Sequence, residues 1–247
     1  DEAVYSLTIP GSDVVGLVGS LDVVNDTAAT DLVIGVDGDG SATISQDAFP
    51  DDHVFVVRTG AGLEIEDVTI RGGATANGAS GAAVKADSNS TLILRRCVLE
   101  DNVSINNGGA ILANGALSLD GCVVRNNVAL QSGGGIITGS STSAVITDTL
   151  FQGNVAVDQS GGAIRANAGL SVLDSSFVDN QAAGIGGAIS SGSSLPGAVS
   201  ITGSCFIGNA DDAVESFNAV SQIATANWWG AADGPGEILA RGKITPP

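Results

Sequence analysis

The sequence predicts an all-β fold, a single-stranded right-handed parallel β-helix (a solenoid) of about eight coils of roughly 26 residues each. Three observations predict it. A Gly-Gly phrase recurs at a nearly constant interval, a Phe-x-x-Asn phrase recurs in step with it, and the residues between them alternate between apolar and polar. A period of this length accommodates three short strands and three turns, which make one coil.

The Gly-Gly phrase reads Gly-Gly-Ala-Ile or Gly-Gly-Ile-Ile and begins at Gly108, Gly134, Gly161 and Gly186. A weaker copy begins at Gly81, and the successive spacings are 27, 26, 27 and 25 residues. Glycine permits backbone angles that a side chain forbids. The pair therefore predicts a tight corner at which neighbouring coils approach closely.

The Phe-x-x-Asn phrase begins at Phe151, Phe177 and Phe206, and Leu99 and Val124 replace Phe in two earlier copies. We expect these apolar residues to point inward and to stack from coil to coil. We expect the final Asn to form a ladder at one turn, because an amide can donate to one neighbour and accept from the next. The alternative is a row of ligands for sugar or ice. The ladder residues are Asn102, Asn127, Asn154, Asn180 and Asn209.

Between the two phrases, apolar residues recur at every second position, which is typical of strands with one buried face. A helical repeat is disfavoured because no 3.6-residue period is visible, and a propeller blade needs about 40 residues or more. The residues predicted to face inward here are Leu92, Leu94, Leu117, Leu119, Val145, Leu170 and Val172.

The chain divides into three predicted parts. Residues 1–19 form an N-terminal strand that acts as a cap or an assembly segment, residues 20–226 form the β-helix, and residues 227–247 form a C-terminal cap and tail. In the first part, apolar residues alternate with Ser and Thr, which predicts a strand that closes its own helix or adds to the sheet edge of a neighbour. The apolar residues of this possible assembly strand are Tyr5, Leu7 and Ile9.

The two tryptophans, Trp228 and Trp229, follow the last predicted coil. We expect them to cover the open end of the core. An exposed tryptophan pair could instead stack on a sugar ring, because its ring offers an apolar face.

The composition is strongly acidic, with 9 Lys and Arg against 27 Asp and Glu and a net charge of −18. Nucleic acid is therefore not an expected partner, because phosphate binding needs clustered Lys and Arg. No apolar stretch approaches the about 20 residues of a membrane span. We expect no cofactor. The turn Asp37-Gly38-Asp39-Gly40 leaves calcium open as an alternative, although it lacks the rest of a calcium loop.

Two of the three cysteines, Cys97 and Cys122, precede their ladder Asn by five residues. They should face inward on adjacent coils. A disulfide is conceivable at that spacing, but in-register parallel neighbours favour two buried thiols. Cys205 stands one position later in its coil and should face outward or into a cap.

The pairing of Gly-Gly-Ala-Ile with Phe-x-x-Asn resembles the repeat of the polymorphic outer-membrane proteins of bacteria. The segments Val68-Thr69-Ile70-Arg71-Gly72-Gly73 and Asn227-Trp228-Trp229-Gly230 are similar to pieces of secreted right-handed β-helix proteins. The resemblance covers roughly residues 20 to 236. It implies the pectate-lyase-like β-helix fold and an extracellular or cell-surface location, and it does not imply lyase activity.

A polysaccharide lyase or glycoside hydrolase acting on acidic glycans is one alternative function, and a carbohydrate-binding module is another. Enzymes on this fold need clustered carboxylates with Arg, Lys or His nearby. We expect the candidate groups here to lie on different coils without converging, and therefore expect no enzyme. The candidates are Asp51-Asp52-His53, Glu64, Glu66, Asp67, Arg95-Arg96 and Asp211-Asp212.

The function that the sequence favours is that of a non-catalytic extracellular structural or adhesive protein. The exposed strand edges at the two ends of a β-helix must be capped or paired. If the first strand adds to the sheet of another copy, head-to-tail stacking produces a filament or a surface layer. The expected partners are therefore other copies of the chain, with an extracellular glycan as a further alternative.

Overall fold

The regular structure of the chain consists of β-strands, and the described residues contain no helix. The computed structural model describes residues 4–10, 14–17, 20–23, 31–37, 42–46, 52–192, 198–210, 212–216, 222–229, 240–241 and 244–245. Their strands form four sheets of ten, nine, eight and five strands, and neighbouring strands run parallel. The predicted parallel β-helix is therefore confirmed.

Sheets 1 and 2 extend over nearly the whole chain. The strands of sheet 1 are, in order across the sheet, Val4–Pro10, Asp31–Asp37, Gly62–Glu66, Thr91–Arg95, Ala116–Asp120, Ser143–Thr147, Gly169–Leu173, Val199–Thr202, Gln222–Thr225 and Ile244–Thr245. The strands of sheet 2 are Leu21–Val23, Phe55–Val57, Val84–Ala86, Ile111–Ala113, Ile136–Thr138, Ile164–Ala166, Ile189–Ser191, Val214–Ser216 and Ala240–Arg241.

Sheets 3 and 4 complete each coil. The strands of sheet 3 are Val14–Gly16, Ala42–Ser45, Val68–Arg71, Val98–Glu100, Val123–Arg125, Leu150–Gln152, Ser176–Val178 and Cys205–Ile207. The strands of sheet 4 are Ala74–Thr75, Val103–Ser104, Val128–Ala129, Val155–Ala156 and Gln181–Ala182.

One coil visits the four sheets in a fixed order. It runs from sheet 1 (Thr91–Arg95) through sheet 3 (Val98–Glu100), sheet 4 (Val103–Ser104) and sheet 2 (Ile111–Ala113), and returns to sheet 1 at Ala116–Asp120. Each coil adds about 4.8 Å along the axis. The regular coils number about six, slightly fewer than predicted, and further strands of sheets 1 and 2 extend the stack at both ends.

In-register pairing places the same position of each coil in a column that runs along the helix axis. Alternate columns of sheet 1 face the core, as the buried Leu92, Leu94 and Leu119 show. The inward assignment of Val145 is wrong. Ala144 pairs with Leu117, so that Val145 falls in the outward column and is 46% exposed.

The two glycines of each corner have different roles. The first, as in Gly161, has a φ of 73°, which glycine adopts without strain. The second, Gly162, lies so close to the next coil that a Cβ there would stand 2.0 Å from the carbonyl oxygen of Gly187. In the third copy, Ile136 pairs with Ile111, so the corner begins at Gly133 instead of the predicted Gly134.

The predicted boundaries after residues 19 and 226 do not separate structural units. Strands Val4–Pro10 and Val14–Gly16 are the first strands of sheets 1 and 3. At the other end, Ala240–Arg241 and Ile244–Thr245 are the last strands of sheets 2 and 1. The predicted N-terminal segment and tail therefore contribute coils to the same helix.

Candidate functional site

The five predicted ladder asparagines line one turn of five successive coils. The first four amide nitrogens each donate to the amide oxygen of the next Asn over 2.9–3.0 Å. The same oxygen accepts the backbone N–H of the preceding Asn, as in Asn102 to Asn127 at 3.1 Å. Asn102, Asn127, Asn154 and Asn180 are 0% exposed. These four amides bond to the protein and present nothing to an external sugar or to ice.

A second polar ladder, which the sequence reasoning missed, lies five residues before the first. The hydroxyl of Ser175 accepts the backbone N–H of Thr149 at 3.2 Å and donates to the carbonyl of Leu173 at 2.9 Å. Ser204 does the same for Ser175 and Thr202. The signal was present, because every residue five before a ladder Asn carries a small hydroxyl or thiol group.

The cysteines occupy this same ladder. Cys97 and Cys122 are buried free thiols that donate to the carbonyls of Arg95 at 3.3 Å and Asp120 at 3.4 Å. The hydrogen bond to Cys122, together with burial, raises the pKa of the Cys97 thiol. Both thiols thus act as structural donors. Cys205 lies one position later in an outward column and is half-buried.

The inward phenylalanines form a stack that ends in a tryptophan. Phe151, Phe177, Phe206 and Trp229 follow one another with ring centroids 4.6–4.9 Å apart and nearly parallel planes. Trp229 is 5% exposed, whereas Trp228 is 48% exposed. The prediction that both tryptophans cover the core is wrong for Trp228, because successive strand residues point to opposite faces.

The family comparison agrees with this architecture. The family described as the right-handed β-helix region matches residues 52–227. The chain belongs to this right-handed β-helix family. No curated protein and no solved structure matches the chain.

Two groups of charged residues on this β-helix converge, contrary to the sequence-based expectation. The guanidinium of Arg95 lies 2.9 Å from the carboxylate of Glu64, and that of Arg96 lies 2.8 Å from Asp67 and also pairs with Glu66. The in-register stacking of two adjacent coils causes this. Exposed ion pairs of this kind contribute little to stability, because water screens them.

The single histidine is held by the backbone of the next coil. The Nδ1 atom of His53 lies 2.8 Å from the carbonyl oxygen of Gly81, and Asp52 accepts the backbone N–H groups of His53 at 2.8 Å and Ser20 at 3.2 Å. Burial lowers the pKa of His53. The side chains of Asp52 and His53 therefore bond to backbone groups of the β-helix.

The described residues contain no group of three His, Cys, Asp or Glu side chains placed to hold a metal ion. Residues 38–40 of the acidic turn, Asp51 and Asp211 lie outside the described residues. Within the described part of the chain, no helix is both long enough and apolar enough to cross a membrane.

The candidate assembly strand belongs to the β-helix of its own chain. Val4–Pro10 pairs in parallel with Asp31–Asp37, which is the first of the two predicted alternatives. Among the described residues it has no strand on its other side. The register pairs are Tyr5 with Leu32, Leu7 with Ile34 and Ile9 with Val36.

In the described part of the chain, sheet 1 has an outermost strand at each end of the β-helix. Within the described residues, Val4–Pro10 and Ile244–Thr245 are the outermost strands of sheet 1, and each has one neighbour. Backbone groups on the outer edge of such strands can pair with another parallel strand. The geometry of the described residues therefore points to the ends of the β-helix, and not to its sides, as the candidate functional site.

Proposed function

We propose that this β-helix is a non-catalytic extracellular structural or adhesive protein that stacks head to tail into a filament or a surface layer. The observation that supports the proposal most strongly is that sheet 1 has a parallel edge strand at each end, Val4–Pro10 and Ile244–Thr245. Strands added in the same direction continue the ladder that joins all coils of the chain. A contact between unlike ends repeats without closing and produces a fibre.

The use of polar groups along the sides supports the non-catalytic part of the proposal. The ladder asparagines bond between coils, Arg95 and Arg96 are paired with carboxylates, and His53 contacts a backbone carbonyl. A catalytic carboxylate or histidine must reach the proton that it transfers. These groups instead bond to residues of the adjacent coil.

The extracellular location rests on the resemblance of the repeats to those of the polymorphic outer-membrane proteins and of secreted β-helix proteins. The net charge of −18 is compatible with this location, because a high net charge keeps exposed proteins soluble. Detection of the native protein in surface or medium fractions tests the location. Its recovery in the cytosol alone would contradict it.

Light scattering over a range of concentrations tests the stacking. The double variant S6K/T8K places two lysines on the outer strand of sheet 1, and edge lysines oppose strand addition. The matched control S171K/T147K places lysines in the same two columns in the middle of the helix.

The wild type and the control should increase in mass with concentration, whereas S6K/T8K should remain monomeric. All three should have the same circular dichroism spectrum, which excludes misfolding as the cause. A wild type that is monomeric at every concentration, or an edge variant that assembles as well as the control, would refute the proposal.

A further inference from the structure

Three Asn-x-Ser/Thr triplets occur in the sequence, and they begin at Asn25, Asn89 and Asn102. This triplet is the acceptor for N-linked glycans in secreted proteins, where it lies in surface loops. A glycan is bulky and hydrophilic, so the fold decides which of the three asparagines has room for one. Asn25 lies outside the described residues.

The triplet at Asn102 is excluded by the asparagine ladder. Asn102 is 0% exposed, and its amide nitrogen donates to the carbonyl of Glu100 at 3.0 Å and to the amide oxygen of Asn127 at 2.9 Å. A sugar on this nitrogen would enter the core and replace those hydrogen bonds. The folded β-helix therefore cannot carry a glycan at Asn102.

The triplet at Asn89 has the opposite environment. Asn89 lies in the turn of residues 87–90 that joins strand Val84–Ala86 of sheet 2 to strand Thr91–Arg95 of sheet 1. Its backbone is left-handed, with a φ of 57°, which asparagine tolerates. The side chains of Asn89 and Thr91 are both exposed, and among the described residues the amide of Asn89 has no hydrogen-bond partner. The acceptor amide and the hydroxyl that completes the triplet are therefore both accessible.

A groove lies beside Asn89 because successive turns differ in length. Four residues, 87–90, join sheet 2 to sheet 1 in the coil of Asn89, and four residues, 139–142, do so two coils later. In the coil between them the turn has only two residues, Asn114 and Gly115. The short turn forms the floor of a groove of about 380 Å³ between the two longer turns. This volume is within the range of about 300–1,000 Å³ that is typical of ligand sites.

The groove is uncharged, although the chain has a net charge of −18. Its walls and floor consist of serine, threonine, asparagine, glycine and alanine residues, among them Asn114, Ser141 and Ser143. Hydroxyl and amide groups both donate and accept hydrogen bonds, as the hydroxyls of a sugar do. The groove therefore offers space and polar groups for a sugar attached to Asn89.

We infer that Asn89 carries an N-linked glycan whose first sugar lies in this groove. The inference rests on the extracellular location in the proposed function. The donor is a lipid-linked oligosaccharide diphosphate. The Nδ2 atom of Asn89 forms a bond to the anomeric carbon of the sugar and loses one proton. The bond from that carbon to the diphosphate oxygen breaks, and the lipid diphosphate leaves with the electron pair.

A glycan at Asn89 is compatible with head-to-tail stacking. Strand Thr91–Arg95 is the fourth of the ten strands of sheet 1, so three strand spacings separate it from the outermost strand Val4–Pro10. At about 4.8 Å per spacing this distance is about 14 Å. The glycan thus stands on the side of the β-helix and leaves the end strand uncovered.

Mass spectrometry of tryptic peptides from the native protein tests the inference. Cleavage after Lys85 and Arg95 releases residues 86–95, in which Asn89 is the only asparagine, and this peptide should carry the mass of a glycan. Residues 72–85 contain Asn77, which is exposed and left-handed like Asn89 but is followed by Gly78 and Ala79. That peptide, and the peptide of residues 97–125 with Asn102, should be unmodified.

Three variants produced in the native cells identify the linkage. N89Q removes the acceptor amide and T91A removes the hydroxyl of the triplet, so both should lose the glycan completely. T91S is the matched control, because it preserves the triplet and should keep the glycan. Ser88, Ser90 and Thr91 provide other hydroxyls in the same peptide. A sugar that persists in N89Q would be linked to one of these and would refute the inference.

The location of the native protein separates this inference from the proposed function. If the protein is found in the surface or medium fraction with residues 86–95 unmodified, the glycan is refuted and the proposed location stands. Recovery in the cytosol alone would refute both. Loss of the glycan in N89Q and T91A, with retention in T91S, supports the inference.

Discussion

Single residues stabilise this molecule mainly through buried polar groups that bond across coils. Each ladder Asn uses both atoms of its amide. The nitrogen of Asn154 donates to Val124 at 2.8 Å and to Asn180, and its oxygen accepts from Asn127. A buried polar group that loses its partner costs about 1–3 kcal/mol. The ladder therefore fixes the stacking of coils more strictly than apolar packing alone.

Removal of one ladder amide should be costly. We expect N154A to lower the free energy of unfolding by about 3 kcal/mol or more, because it leaves two donors of Asn127 without an acceptor. Urea denaturation measures this. Q181A, an exposed truncation in the following coil, should change stability by less than about 0.5 kcal/mol. Equal losses in the two variants would contradict the ladder's role.

His53 should make stability depend on pH. Burial lowers its pKa in the folded state below the unfolded value of about 6.5. The unfolded chain therefore binds the proton more readily, and this contribution to stability is complete above about pH 7 and is lost as the pH falls. In H53Q the difference in unfolding free energy between pH 7 and pH 5 should be smaller than in the wild type. An unchanged difference would show that His53 does not contribute.

The strands of successive coils can pair only if the glycine corners between them pack closely. The second glycine of each corner has no room for a side chain, and the first requires a left-handed conformation. The period of these corners and the Phe-x-x-Asn phrase were sufficient to predict the sheets from the sequence. The exact residue at which one copy of the corner begins could not be predicted, because the three consecutive glycines Gly133–Gly135 fit two alignments. Val145 was assigned to the wrong face for a similar reason, because a shift of one residue along a strand moves a side chain to the opposite face of the sheet.

Because neighbouring coils approach closely at the corner, the addition of one methyl group at Gly162 should lower stability strongly. We expect G162A to lower the unfolding free energy by about 3 kcal/mol, because its Cβ would stand 2.0 Å from the carbonyl oxygen of Gly187 and the coils must separate. G35A has no atom within 4 Å of the added Cβ and serves as the control. Thermal denaturation distinguishes them, and similar melting temperatures would contradict the close packing.

The whole molecule is a stack of coils, and in its described part sheet 1 has an edge strand at each end, Val4–Pro10 and Ile244–Thr245. The sequence allowed us to suspect the ends, since strand edges must be paired or capped. It did not reveal that strands Val4–Pro10 and Ile244–Thr245 end the same sheet. That relation depends on the register of every intervening strand, and the irregular first coils contain neither repeated phrase.

Electron cryo-microscopy of the concentrated protein tests the central claim most directly. Sheet 1 contains ten strands, so at about 4.8 Å per strand a head-to-tail stack should show filaments with an axial repeat of about 48 Å and strands perpendicular to the axis. Single particles at every concentration, or filaments whose repeat does not correspond to one molecule, would contradict the account.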